Sequence, residues 1–138
     1  MPYTILYVED ESAIIELVDI VLSHPNIKLL TAFSGEQGLD LARKHKPDLI
    51  LLDVMIPDRS GWSIYNEIRQ NAELCNRPII MLTGQMHKYR IMKEFSRSRI
   101  DAYITKPFDA GSVRVMVEQM LGVRLWSSRP LTSQPNSA

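Results

Sequence analysis

Residues 49–53 read Leu-Ile-Leu-Leu-Asp, which is four consecutive apolar side chains followed by one acid. An apolar run of this length without alternation is typical of a β-strand covered on both faces, as strands are in a parallel sheet. An acid at the end of such a strand lies at the carboxyl edge of the sheet, where ligands of open α/β sheets bind. The segment therefore predicts an α/β fold and marks Asp53 as a candidate functional residue.

Four more short apolar runs alternate with longer stretches of helical periodicity. This alternation is typical of βα units that feed one parallel sheet, and 138 residues are enough for a single domain. We predict a single-domain α/β fold with a doubly wound, five-stranded parallel sheet. The predicted strands are Thr4–Val8, Lys28–Ala32, Leu49–Leu52, Pro78–Leu82 and Ala102–Thr105.

Five helices are predicted between and after these strands. Ser12 and Asp109 stand at positions that favour helix caps, and Ser34 with Gln37 forms a capping-box pattern. Trp62, just inside the third helix, is predicted to be a partly exposed packing residue. The predicted helices run from Ser12 to before Pro25, from Ser34 to Lys46, onward from Gly61, over about 86–95, and from Asp109 to Leu121.

Composition and charge narrow the class of protein. The formal net charge is zero, but residues 1–60 carry ten acids and five bases, whereas residues 61–138 carry six acids and eleven bases. The basic excess peaks over residues 88–99, which predicts either a solvated helix face or a surface for an acidic partner. A lone Cys75 and the lack of a signal peptide or membrane-length apolar run predict a cytoplasmic protein without membrane contact.

Polar side chains follow four of the predicted strands directly. Glu9 and Asp10 follow the first strand, Asp53 the third, Thr83 the fourth and Lys106 the fifth. Each alone has an ordinary interpretation as a cap, turn or surface residue, but together they predict one site. Converging carboxylates repel unless a cation neutralises them, and oxygen ligands favour Mg²⁺, with Mn²⁺ as a substitute. A carboxylate can also act as a nucleophile toward phosphorus, and Asp53 is best placed for that role.

Four separated motifs resemble the landmarks of receiver domains of two-component response regulators, over roughly residues 3–121. The resemblance implies the flavodoxin-like and CheY-like (βα)5 topology and a domain over residues 1–121, followed by a flexible tail or linker start at 122–138. The motifs are Val8-Glu9-Asp10-Glu11, Asp53-Val54-Met55-Ile56-Pro57-Asp58-Arg59-Ser60-Gly61, Leu82-Thr83 and Tyr103-Ile104-Thr105-Lys106-Pro107-Phe108.

The resemblance also implies roles for the individual residues. Asp53 would accept the phosphoryl group, and Lys106 and Thr83 would be the other catalytic residues, because Lys106 would bind a phosphoryl oxygen and Thr83 would turn its hydroxyl toward it. Thr83 and Tyr103 would act as switch residues. The Lys106-Pro107 peptide bond would be cis. The metal ligands would be Asp10, Asp53, the backbone carbonyl of Met55 and Glu9, with Asp10 binding directly and Glu9 acting through a water molecule.

The function that follows is a phosphorylation-dependent signalling switch. A sensor histidine kinase or a phosphotransfer protein would be the donor, and the protein would catalyse only its own phosphoryl transfer and a slow autodephosphorylation. The output face would comprise the predicted fourth helix, fifth strand and fifth helix, which would also serve a homodimer. No direct nucleic-acid binding is expected of this domain, and the sequence does not identify the pathway, the kinase or any attached output domain.

Two other classes of function stay open. A degenerate receiver would act as a constitutive protein-interaction or dimerisation module. A phosphohydrolase with an aspartate nucleophile would also place its acid after a parallel strand, but Asp53-Val54-Met55 lacks the second acid of the Asp-x-Asp pattern.

Overall fold

The computed structural model describes residues 2–84 and 101–126 of the chain. The predicted fourth helix and the basic segment 88–99 lie outside these residues, so the predicted fifth helix is labelled α4. Among the described residues, no helix is both long enough and apolar enough to cross a bilayer. The elements are β1 (Tyr3–Val8), α1 (Ser12–Val21), β2 (Ile27–Ala32), α2 (Gly35–His45), β3 (Leu49–Asp53), α3 (Gly61–Gln70), β4 (Ile79–Thr83), β5 (Asp101–Thr105) and α4 (Ala110–Leu121).

The five strands form one parallel sheet in the order β2-β1-β3-β4-β5. The strand order reverses between β1 and β3, which is the switch point at which such sheets form a crevice for ligands. Helices α2 and α3 pack on one face of the sheet, and α1 and α4 pack on the other. The predicted doubly wound α/β fold is confirmed, and every described strand matches its prediction to within one residue at each end.

The central strand β3 explains why the segment 49–53 is apolar throughout. Ile50 and Leu52 pack with the core that includes α2 and α3, whereas Leu49 and Leu51 pack with the core that includes α1 and α4. All four side chains are fully buried. Burial of each contributes about 1.5–3 kcal/mol, so this strand anchors both cores and leaves only Asp53 to carry polar chemistry.

The start of α1 differs from the prediction. Glu11, not Ser12, occupies the N-cap position, its side chain makes no capping hydrogen bond, and Ser12 is the first helical residue. The Glu11 carbonyl instead accepts the amides of Ile14 and Ile15 at 3.1 and 3.0 Å. The predicted Ser12 cap is wrong because β1 ends at Val8, and the acidic residues that follow bring the chain into the helix one residue earlier.

Helix α2 carries a modified form of the predicted capping box. The Ser34 hydroxyl accepts the Gln37 amide at 3.1 Å, but the Gln37 side chain accepts the Phe33 amide at 2.8 Å and not that of Ser34. At the other end the helix stops at His45, one residue before the predicted end. Lys46 has a positive φ of 45° and so cannot continue the helix.

The described chain keeps its contacts beyond Leu121, the predicted end of the domain. Glu118 is buried, and its Oε2 atom accepts the amides of Leu125 and Trp126 at 2.6 and 3.0 Å. The Leu125 carbonyl lies 2.8 Å from Nε2 of His24, whose ring meets the Trp126 indole edge-on. The segment after α4 therefore folds back onto the turn that follows α1.

Candidate functional site

Asp53 is the last residue of β3, at the carboxyl edge of the sheet. Its side chain lies in a buried position, with the residue 3% exposed. The Met55 amide donates to Asp53 Oδ1 at 3.0 Å, which fixes the orientation of the carboxylate. The other oxygen, Oδ2, is directed at a lysine from a different loop. Asp53 therefore lies at the carboxyl end of the central strand, and the residues that follow it orient its carboxylate.

Glu9 and Asp10 come beside Asp53 because of the register between β1 and β3. Val8 pairs with Leu52, so the residues that follow the two strands are neighbours. Glu9 is fully buried and Asp10 is exposed. Carboxylate oxygens from Glu9, Asp10 and Asp53 all lie within 4.8 Å of one another, as the sequence predicted.

Lys106, which follows β5, bridges the two buried carboxylates. Its Nζ atom lies 3.2 Å from Glu9 Oε1 and 3.1 Å from Asp53 Oδ2. Partial burial of the ammonium group opposes its ionisation, but the nearby Asp53 and Glu9 charges outweigh that effect and raise the pKa of Lys106 above its ordinary value. The Lys106-Pro107 peptide bond is cis, as the resemblance implied.

The charges at the site do not balance. Burial, and then contact with the Asp53 carboxylate, raise the pKa of Glu9 above its ordinary value, although Lys106 acts in the opposite direction. Among the described residues, three carboxylates face one ammonium group, which leaves net negative charge in a partly buried place. An all-oxygen donor set with excess negative charge fits a hard divalent cation such as Mg²⁺.

Two further contacts to Glu9 were not predicted. The buried Tyr7 hydroxyl donates to Glu9 Oε1 at 3.0 Å, and the Glu11 amide donates to Oε2 at 3.3 Å. Burial, and then the Glu9 charge, raise the pKa of Tyr7, so its hydroxyl stays protonated and remains a donor. Tyr7 lies near the end of β1 and Glu9 directly follows the strand, and this i, i+2 spacing is the sequence signal that could have indicated the contact.

The loop after Asp53 is fastened to α2. Asp58 accepts the Gly35 amide at 2.8 Å and the Glu36 amide at 3.1 Å, so its carboxylate binds the first turn of that helix. Arg59 donates to Glu36 Oε2 at 2.8 Å and also pairs with Glu67 of α3. Neither Asp58 nor Arg59 was predicted from the sequence to have a role.

The remaining predicted site residues have mixed outcomes. Thr83 is the final residue of β4, but its side chain lies outside what the structure describes, so its switch role stays a prediction. Tyr103 lies in β5, is partly buried and packs against the core that contains α2 and α3. Met55 is 63% exposed. Trp62 was predicted to be partly exposed, but it is 3% exposed because α3 begins directly against the end of β3.

An apolar hollow of about 320 Å³ adjoins the charged cluster. It lies between α1 and the segment that connects β5 to α4. Lys106 forms part of its lining, so apolar surface continues up to the ammonium group that contacts Asp53. The lining residues are Ile14, Leu17, Lys106, Pro107 and Phe108.

Comparison with known proteins identifies the class that this fold and site define. The family model of the response regulator receiver domain matches residues 5–118. The chain therefore belongs to the response regulator receiver domain family. Receiver domains of this family act as signalling switches in two-component systems rather than as turnover enzymes, interact with histidine kinases or phosphotransfer proteins, and bind Mg²⁺ at an acidic site.

Individual relatives agree with this assignment. The response regulator ArlR of Staphylococcus aureus is 35% identical over 117 residues, which are 85% of this chain and 52% of that protein. The chain thus spans about half the length of the curated relatives it matches. A Chloroflexus aurantiacus structure described as a response regulator is 30% identical with a TM-score of 0.80, covering 88% of this chain and 99% of that one.

A third relative bears on the acidic cluster. The receiver domain of the sensor histidine kinase PA1611 from Pseudomonas aeruginosa PAO1 is 25% identical with a TM-score of 0.77. The match covers 88% of this chain and 99% of that one. That structure was solved with a magnesium ion coordinated in its active-site cleft.

Proposed function

We propose that this protein accepts a phosphoryl group on Asp53 from a sensor histidine kinase or a phosphotransfer protein, in a reaction that depends on Mg²⁺. One observation carries the proposal: three carboxylates meet within 4.8 Å, and Lys106 lies 3.1 Å from the central one. A phosphoryl transfer needs little beyond positioned charges and an oriented nucleophile, and this cluster contains both.

The chemistry uses the Asp53 carboxylate as the nucleophile. One of its oxygens attacks phosphorus and forms an O–P bond, while the P–N bond of the donor phosphohistidine breaks and the imidazole leaves with the electron pair. The Met55 amide holds the carboxylate in place during the attack. Lys106 already contacts Asp53 Oδ2, so its ammonium group is within reach of an oxygen of the transferred group.

The metal site would use the acids that the fold brings together. Glu9, Asp10 and Asp53, with the Met55 backbone carbonyl, are the proposed ligands of Mg²⁺ or Mn²⁺. When bound, the ion would neutralise negative charge on the carboxylates and on the incoming phosphoryl group. Glu9 is held by donors to both of its oxygens, so its carboxylate is oriented before any ion binds.

Phosphorylation would then change the surface of the domain. We propose that Thr83 and Tyr103 respond to the new charge on Asp53 and repack the face that includes β5 and α4, which would bind a partner or a second copy of the chain. A cytoplasmic location, the absence of direct nucleic-acid binding, and a tail or linker in the C-terminal residues belong to the same proposal.

The test is intact-mass measurement after incubation with acetyl phosphate, a small-molecule phosphodonor. Wild-type protein with Mg²⁺ should gain the mass of one phosphoryl group, and chelation of the metal should prevent the gain. Asp53→Asn should gain none. Asp40→Asn is the matched control, because Asp40 is an exposed residue of α2 and should leave the adduct unchanged.

The same experiment separates the competing functions. Release of many equivalents of inorganic phosphate from acetyl phosphate would support a phosphohydrolase. A folded wild-type protein that forms no adduct and releases no phosphate would support a degenerate interaction module. An adduct that persists in Asp53→Asn would show that another residue is the acceptor and would refute the proposal.

A further inference from the structure

Within the part of the chain that the structure describes, the Tyr7 hydroxyl contacts the acidic cluster from inside the core. Tyr7 is fully buried in the core that contains α1 and α4, and its ring is surrounded by apolar side chains. Its hydroxyl still reaches Glu9 Oε1 at 3.0 Å, and Glu9 is itself fully buried. Both partners of this hydrogen bond are therefore shielded from water. A hydrogen bond in the protein interior is stronger than one at the surface.

Glu9 Oε1 has a second donor, Lys106, which is more exposed than Tyr7. Lys106 Nζ also donates to Glu9 Oε1, at 3.2 Å, but its side chain keeps 21% exposure and its other partner is Asp53. An ammonium group has three N–H donors on a flexible side chain, so Lys106 can turn toward a phosphoryl group on Asp53 and change its bond to Glu9. Tyr7 has no such alternative, because its ring is packed on all sides. The hydroxyl would then be the donor that keeps Oε1 oriented in both states.

We infer that Tyr7 is a positioning residue for the metal site: its hydroxyl holds the Glu9 carboxylate in the orientation that binds the divalent cation. This inference rests on the proposed function, since it assigns Tyr7 a role toward the ion that Glu9, Asp10 and Asp53 would hold. Groups that orient a metal ligand through a hydrogen bond typically contribute tenfold or more to metal affinity.

The test compares Tyr7→Phe with Tyr3→Phe. Phe keeps the ring and removes only the hydroxyl, and Tyr3 lies on the same strand, with the same i, i+2 alternation, at the end remote from the site. Isothermal titration with Mg²⁺ should give a Kd about tenfold weaker for Tyr7→Phe and unchanged for Tyr3→Phe. At saturating Mg²⁺, the rate of phosphorylation by acetyl phosphate should stay within about twofold of wild type.

A second readout avoids any variant. The buried hydroxyl proton of Tyr7 should give a slowly exchanging NMR signal in wild-type protein, and this signal should shift on addition of Mg²⁺. Loss of slow exchange at saturating Mg²⁺ would show that the hydroxyl releases Glu9 when the ion binds, which would refute the positioning role. If Tyr7→Phe unfolds, this measurement alone decides.

The outcomes distinguish this inference from the proposed function. If wild-type protein does not bind Mg²⁺, the proposed metal site fails. If wild type binds and Tyr7→Phe binds equally well or better, only the role of Tyr7 is refuted. A Tyr7→Phe variant that is also slow at saturating Mg²⁺ would show that Tyr7 acts on the transfer itself, which likewise overturns a pure positioning role.

Discussion

Replacing Gly61 with alanine should damage both the fold and the proposed phosphoacceptor site. Gly61 begins α3 and does not adopt a positive φ, so backbone freedom does not explain the glycine. A Cβ atom on Gly61 would lie 2.4 Å from the Asp53 carbonyl oxygen and 2.8 Å from the Val54 Cα atom. The requirement is therefore for close approach between the start of the helix and the end of β3.

The loss of stability in Gly61→Ala depends on whether the end of β3 or the start of α3 moves to make room for the Cβ atom. Real Cβ contacts are essentially never shorter than 3.0 Å, so the two segments must separate by more than half an ångström. Asp53 is fixed within the sheet between two paired strands, so α3 must shift and weaken the 2.9 Å bond from the Gly61 amide to the Val54 carbonyl. Overpacking of about 1–3 kcal/mol plus about 1 kcal/mol for the hydrogen bond predicts a loss of about 2–4 kcal/mol.

Thermal unfolding measures this loss. For a domain of this size we expect the Tm of Gly61→Ala to fall by about 10 °C. Gly111→Ala is the matched control, because Gly111 also lies in the first turn of a helix and its Cβ would meet only Asp109 Oδ1, at 3.3 Å. That variant should stay within about 3 °C of wild type, since alanine favours helix. A Gly61→Ala protein that melts within about 2 °C of wild type would refute the steric argument.

Two further predictions concern hydrogen bonds that close the fold. Glu118→Ala removes the acceptor of the Leu125 and Trp126 amides and should lower the free energy of unfolding in urea by about 1–3 kcal/mol. Glu118→Gln keeps an acceptor oxygen and should lose less. Equal losses of unfolding free energy in the two variants would contradict this account. Backbone hydrogen bonds, above all the one from the Gly35 amide, lower the pKa of Asp58 below its ordinary value of 3.8. The Asp58 charge therefore stabilises the folded state above pH 3.8, and this stabilisation is lost as the pH falls through the pKa of Asp58 in the folded protein. Asp58→Asn should thus be less stable than wild type at neutral pH, with a difference that shrinks in acid; a difference independent of pH in urea titrations would exclude the charge effect.

The fold was predictable because local patterns and the tertiary structure agree. The apolar run of β3 needed burial on both faces, and the sheet supplies it. The strand-end positions of Glu9, Asp53 and Lys106 followed from the parallel order alone, since parallel strands carry their carboxyl ends to one edge. Sequence and structure agree wherever the determinant is periodicity or strand order.

Contacts that depend on tertiary distance were not predictable. Nothing local shows that Trp62 must be buried, because its burial follows from the approach of Gly61 to the Asp53 carbonyl. The two roles of Asp58 and Arg59 likewise depend on how the loop after β3 meets α2. The contact between Tyr7 and Glu9 differs from these, because the i, i+2 spacing of the two residues is a local signal for it.

The burial of β3 has a consequence for how sequence change can tune this protein. Its side chains fill two cores, and both of its edges are bonded to neighbouring strands, so substitutions along it act first on whether the chain folds. Asp53 therefore stays in a fixed position, and the loop residues that make no contact with the acidic cluster or with α2 are the ones that can vary. Variation that adjusts how fast or how long a signal lasts should accumulate in those loops, and the strand beneath them should tolerate little beyond exchanges of one aliphatic residue for another.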